Sequence, residues 1–232
     1  MAEYFANLQA RFVLNFVDGD RWRFIVNGLS ITLQVTFFAL IMGLFLGFLV
    51  AIIRSTHDKT GRFKFVNFLC NVYLTVIRGT PVVVQLLILF FVVFPGGTNR
   101  IIVAIVAFGI NSGAYQAEIF RSGIMAVDSG QFEAGRSLGF SYIKTMIYII
   151  LPQAVKNVLP ALGNEFIVLM KETSISGFIG LQDLTRGGDI IRSRTYDAFM
   201  SLIAVALIYL VLVMILSSLI KLLERRLRNS DH

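Results

Sequence analysis

Long uncharged apolar runs, each near the length of a bilayer crossing, set the pattern of this chain. Phe24–Ile53 carries no charge over 30 residues, Gly79–Asn99 none over 21, Ile101–Ala117 none over 17 and Ala198–Ile220 none over 23. A helix rising 1.5 Å per residue crosses hydrocarbon in ~20 residues. Thr145–Met170 is a further apolar stretch, interrupted by Lys156, Glu165, two prolines and a few polar residues. The pattern predicts an all-α membrane protein of five spans, at approximately 24–53, 66–94, 101–125, 150–170 and 198–222, within one transmembrane domain over residues 1–232. Between spans three and four, residues 131–144 are too polar for lipid and read as a short surface helix that Gly139 can end.

One span departs from the simple pattern. Phe65–Phe94 would run ~45 Å as a continuous helix, longer than the hydrocarbon is thick. Pro81 lacks an N–H and disfavours helix at Thr80, so a bend is expected there. Arg78 sits beside that bend, inside the apolar stretch. Either it marks the interface, with residues 65–77 along the membrane surface, or it faces a water-filled cavity, where broken helices are tolerated. On span one, Gly43 and Gly47 form a small-xxx-small pair that reads as helix packing.

Composition agrees with the pattern: 56% hydrophobic, 15% charged and a mean hydropathy of +0.75 exclude an ordinary soluble domain. The formal charge of +7 would suggest nucleic acid in a soluble protein, but here it belongs to membrane topology and no nucleic-acid partner is expected. Lys and Arg number twelve in the segments 54–64, 121–156 and 221–228, against eight in the N-terminal tail, the 95–100 turn and the 171–197 loop. That bias predicts N-terminus out and C-terminus cytoplasmic. No cleavable signal pattern precedes the first span, which is therefore expected to act as its own insertion signal.

Enzyme chemistry finds no footing. There is no P-loop stretch and no His-Glu-x-x-His, and Cys70 stands alone. The two histidines are His57, read as lying in a loop, and His232 at the terminus. No catalytic residue, metal site or cofactor is expected in this chain.

The polar residues within spans outline a pathway instead. Arg78 suits a carboxylate, since its guanidinium makes a bidentate fork and stays charged at any depth. Glu118 and Glu165 suit an ammonium or a cationic side chain. Gln85, Asn111, Ser112, Tyr115 and Gln116 can complete the lining, with Ser112, Tyr115 and Glu118 recurring every three residues along one helix. Plainer roles stand beside these. Glu118 can pair with Arg121 at i, i+3, Glu165 can brace the backbone freed at Pro160, and Lys171 with Glu172 can form an extracellular rim.

Glu133-Ala134-Gly135, three residues, Gly139, nine residues, then Ile149-x-Leu151-Pro152 resembles the "EAA" loop of bacterial ABC importer permeases. Gly135 replaces the second alanine of that form. Arg78-Gly79-Thr80-Pro81, and Leu162-Gly163-Asn164-Glu165-Phe166 with Lys171-Glu172-Thr173-Ser174, are similar to the polar amino-acid branch of the same family. The resemblance runs from about residue 20 to 226. It implies a permease subunit of the bacterial inner membrane, one of two lining a pathway, with P-loop ATPase subunits that bring ATP and Mg, and an external amino-acid-binding protein. It also implies that residues 128–149 form a cytoplasmic coupling loop in which Glu133, Ala134, Gly135 and Gly139 meet the ATPase, and that Glu172 lines the substrate region. Three membrane carboxylates against Arg78 and Lys171 leave an acidic excess, so a basic amino acid is the expected substrate, with a neutral one such as glutamine as the alternative. A channel or secondary transporter, the rival class, would have no need of the 133–152 motif.

Overall fold

The computed structural model describes residues 2–228, and His232 lies outside the described residues. The described chain is helical almost throughout: α1 (Ala2–Phe12), α2 (Trp22–Thr60), α3 (Lys64–Gly79), α4 (Val82–Ile88, prolonged by a wide turn to Val93), α5 (Arg100–Met125), α6 (Ser129–Ser137), α7 (Tyr142–Thr145), α8 (Leu151–Glu172), α9 (Leu184–Thr195) and α10 (Ala198–Arg228). Four stretches are long and apolar enough to cross a membrane: Trp22–Thr60, Arg100–Met125, Tyr142–Ile179 and Ala198–Leu227. The pair Lys64–Gly79 and Val82–Val93 qualifies together as a broken span, which makes five. Large apolar side chains such as Phe37, Phe45, Leu210 and Met214 stay more than half exposed. Lipid is the solvent that makes such surfaces stable.

Several boundaries differ from the expected ones. α2 continues seven residues past Ile53 to Thr60, because nothing breaks the helix before Gly61, whose φ is +66°. His57 is therefore in a helix, not a loop, and only residues 61–63 separate α2 from α3. The surface helix ends at Ser137, two residues before the Gly139 stop, and the chain re-enters helix at Tyr142. Span four starts earlier than residue 150, since helical turns run on from Tyr142. The segment 171–197, read as a loop, is mostly helical: a tight turn at Thr173–Ile179 and then α9. Its charges obscured a helix whose buried face is Leu184, Gly187, Gly188 and Ile191. The break at Thr80 is as expected: Thr80 is extended (φ −122°, ψ 146°) ahead of Pro81.

The helices contribute to two compact units, each assembled from three stretches. The first holds residues 1–39, 82–108 and 168–215. Ile25, Leu184, Ile191 and Val205 form its core, with Phe24, Leu29 and Tyr209 packed around them. Asp183 caps α9 by accepting from the Thr185 and Arg186 amides. Arg11 makes a two-pronged ion pair with Asp197 (2.8 and 2.6 Å), which ties α1 to the first turn of α10.

The second unit holds residues 40–81, 109–167 and 216–232. Here α2 and α5 meet through small residues. A Cβ on Gly43 would come within 2.7 Å of Gln116 Nε2, and one on Gly47 within 2.9 Å of the Ala117 backbone nitrogen. The pair does the packing work its spacing suggested, and the close approach buries Gln116 completely.

Candidate functional site

The densest polar group of the second unit is centred on Glu118. One carboxylate oxygen accepts from Arg54 Nη1 on α2 (2.5 Å), and the other from Arg121 Nε one turn further along α5 (3.4 Å). Arg78, in the last turn of α3, approaches the first oxygen at 3.9 Å. Arg121 also lies 3.8 Å from Asp58 on α2. Three guanidiniums thus face one glutamate. That field attracts a carboxylate and repels an ammonium, which favours the arginine-paired role of Glu118. Pairing with Arg121, the plainer role, is present, and Arg54 strengthens it. Arg78 is the loosest of the three arginines. Its guanidinium carbon lies 5.5 Å from the centre of the Tyr115 ring, and its side chain is 45% exposed.

A second polar group is built on α5 and α8. Gln116 Nε2 donates to Ser112 Oγ (2.8 Å), and Ser112 Oγ donates to Glu165 Oε1 (2.9 Å). Ser112 and Gln116 are buried, and Gln116 Oε1 has no hydrogen-bond partner among the described residues. The chain of donors ends on the Glu165 carboxyl. A carboxylate, a serine and an orphaned amide oxygen present acceptors at one level of the helices, a set that suits an ammonium group. Asn111 is buried one residue before Ser112.

Gln85 and Glu172 belong to the first unit, on α4 and at the end of α8. Both are half-buried; Lys171, beside Glu172, is exposed. The seven expected pathway residues therefore divide into five in the second unit (Arg78, Ser112, Tyr115, Glu118 and Glu165) and two in the first.

The segment expected to serve in coupling is also in the second unit. Asp128 caps α6 by accepting from the Gly130 amide (2.6 Å). At the other end Gly139 adopts φ +79°, and the Phe140 amide reaches back to the Gly135 carbonyl (3.0 Å), the left-handed stop that favours glycine. Gly135 alone in α6 is buried: a Cβ there would lie 2.6 Å from Thr145 Cγ2. Glycine in place of the second alanine is what seats α6 against α7. Glu133, Ala134 and Gly139 are exposed, beside the exposed apolar Leu138 and Phe140. Phe132 turns inward onto Ile124, Val127, Ile150 and Ala154.

Sequence reasoning missed Arg54, counted only as a topology charge, and Asp58, which it did not consider. The signal was present. With no breaker before Gly61 the helix continues, and positions 54 and 58 then share one face at i, i+4.

The comparisons with known proteins bear directly on this geometry. Residues 43–229 match the family model for the binding-protein-dependent transport system inner membrane component. The arginine transport system permease protein of Bacillus subtilis is 40% identical, covering 90% of this chain and 94% of that protein. The putative glutamine transport system permease protein of Rickettsia conorii is 39% identical, covering 88% and 93%. The glutamine permease of Escherichia coli K12 is 37% identical over the same shares. Among solved structures, an amino acid ABC transporter crystallised with histidines is 44% identical with a TM-score of 0.81, covering 88% of this chain and 94% of that one. An inward-facing methionine ABC transporter is 22% identical with a TM-score of 0.74, covering 91% and 98%, and shares the fold. The chain belongs to the binding-protein-dependent inner membrane component family, as a multi-pass permease subunit of an amino acid ABC importer whose ATPase is a separate subunit.

Proposed function

We propose that this permease moves basic amino acids, with Arg78 holding the substrate carboxylate and Glu165 a substrate cation. The observation that carries the reading is the Gln116–Ser112–Glu165 chain, which gathers a carboxyl group and further acceptors within the membrane-spanning helices. Carboxylate and amide acceptors gathered there suit a substrate that brings its own cation. Arg78 is the arginine left least engaged once Arg54 and Arg121 have bonded Glu118. Removing Glu118 from the candidate cation binders leaves Glu165 and Glu172 against Arg78 and Lys171, so the preference rests on Glu165 more than on a count of charges. Ser112 and Tyr115 complete the lining beside them. The names of the Bacillus subtilis arginine permease and of the transporter solved with histidines support a basic substrate. The Rickettsia and Escherichia coli glutamine permeases support the second reading, a neutral polar amino acid.

The chain acts as one permease domain, paired with a second copy or a paralogue, N-terminus out and C-terminus in. The exposed Glu133, Ala134 and Gly139 dock in a cleft of the ATPase, which holds ATP and Mg, while Gly135 anchors the helix from behind. A binding protein delivers substrate on the outer side. The test is uptake by the complete transporter reconstituted in liposomes with its ATPase and binding protein. Glu165→Gln is expected to lower arginine or histidine uptake at least tenfold, the loss of about one charge-assisted contact, and to leave glutamine uptake the less affected. Equal retention of both substrates overturns the assignment.

A further inference from the structure

The last two turns of α2 form an overhang that touches more than the arginine cluster. Arg54 bonds Glu118 and Asp58 faces Arg121, while Lys59 Nζ lies 2.8 Å from the centre of the Phe132 ring. Phe132 belongs to α6, next to the exposed Glu133, and its ring stacks on Tyr142 of α7 at 6.2 Å with 11° between planes. Two pockets open beside this contact. A cavity of about 230 Å³ is lined by Ser55, Ile124, Tyr142 and Met146 among others, and one of about 260 Å³ by Ser55, Asp58, Lys59, Val127 and Phe132. Buried Ser55 borders both, and its Oγ has no hydrogen-bond partner among the described residues.

Close-packed interfaces pass displacement through many contacts at once, whereas an interface with voids passes it only where groups touch. At this interface, Lys59 on Phe132 is a direct touch between the overhang and α6. We infer that Lys59 is a positioning residue for coupling: its ammonium holds the Phe132 face, so that displacement of α6 passes along the overhang to the Arg54–Glu118 pair and to Arg78. This rests on the reading of 128–149 as the coupling loop. The pockets on either side leave space beside that contact. Lys59 thereby links the face that meets the ATPase to the arginine that holds substrate.

The test uses the complete transporter in liposomes and reads amino acid taken up per ATP hydrolysed. Lys59→Met is expected to lower that ratio about three- to tenfold, the range of one cation–π contact, and Lys59→Arg to restore it. Phe132→Leu keeps the positive charge and removes the ring. It is expected to lower the ratio alike, and the Lys59→Met/Phe132→Leu double variant to be no worse than either single. A normal ratio in Lys59→Met, or additive losses in the double variant, overturns the inference. Glu133→Lys separates the two readings. If it uncouples uptake from hydrolysis while Lys59→Met does not, only the role of Lys59 falls; if it leaves coupling normal, the coupling-loop assignment falls too.

Discussion

Replacing Glu118 by glutamine tests whether the arginine cluster holds the second unit together. The carboxylate takes bonds from Arg54 and Arg121 and lies 3.9 Å from Arg78, with its side chain 28% exposed. Glutamine keeps the shape and removes the charge, leaving three guanidiniums with only Asp58 nearby to offset them. An exposed pair contributes ~0.2–1 kcal/mol, and breaking a fully buried pair costs ~3–5 kcal/mol. A partly exposed site falls between, at about 2 kcal/mol. For a chain of this size that corresponds to a drop of about 4–8 °C in thermal midpoint. Arg54→Gln is expected to cost less, because Glu118 then keeps Arg121 and gains a closer Arg78. The assay is thermal unfolding of the purified protein in one detergent, followed by loss of the monodisperse peak on size-exclusion chromatography. A Glu118→Gln midpoint within about 1 °C of the parent, or a larger loss in Arg54→Gln, refutes the account.

Two further expectations concern the loops. Asp183 is buried at the start of α9, and burial raises its carboxyl from near 3.8 to about 6 despite the Thr185 and Arg186 amides. A raised acid pKa means the folded chain binds the proton more tightly than the unfolded one. Stability is then full below about pH 4 and falls by about 3 kcal/mol as pH rises through 6. Asp183→Asn retains a capping oxygen, so its thermal midpoint should change less between pH 5 and pH 7.5 than the parent's, and an identical pH slope would show that Asp183 is not the group responsible. For topology, Ser141→Cys in a Cys70→Ser background should resist a membrane-impermeant thiol reagent in intact cells and react after the membrane is opened. Labelling from outside would reverse the orientation.

The spans were legible because lipid imposes length and apolarity on each segment separately, and the break at Thr80 because Pro81 acts on its neighbour alone. Gly139 and the glycines at 43 and 47 were legible for the same reason: φ and side-chain size are local properties that a spacing reveals. What failed to show was partnership between distant residues. The i, i+3 pair of Glu118 with Arg121 could be read along one helix. The stronger bond, to Arg54, joins positions 64 residues apart, and required knowing that α2 runs on past the membrane run and that Gly43 and Gly47 bring it against α5. That one misplaced helix end changed the chemistry assigned to Glu118, from cation binder to a carboxylate held by arginines. Glu165 illustrates the converse. Its carboxylate accepts from Ser112, which the sequence named as a separate lining residue and not as its partner. Polar residues in a membrane chain are few, so each misassigned partner shifts the charge balance of the whole pathway. The substrate argument consequently turns on Ser112 and Glu165 rather than on how many acids the spans contain.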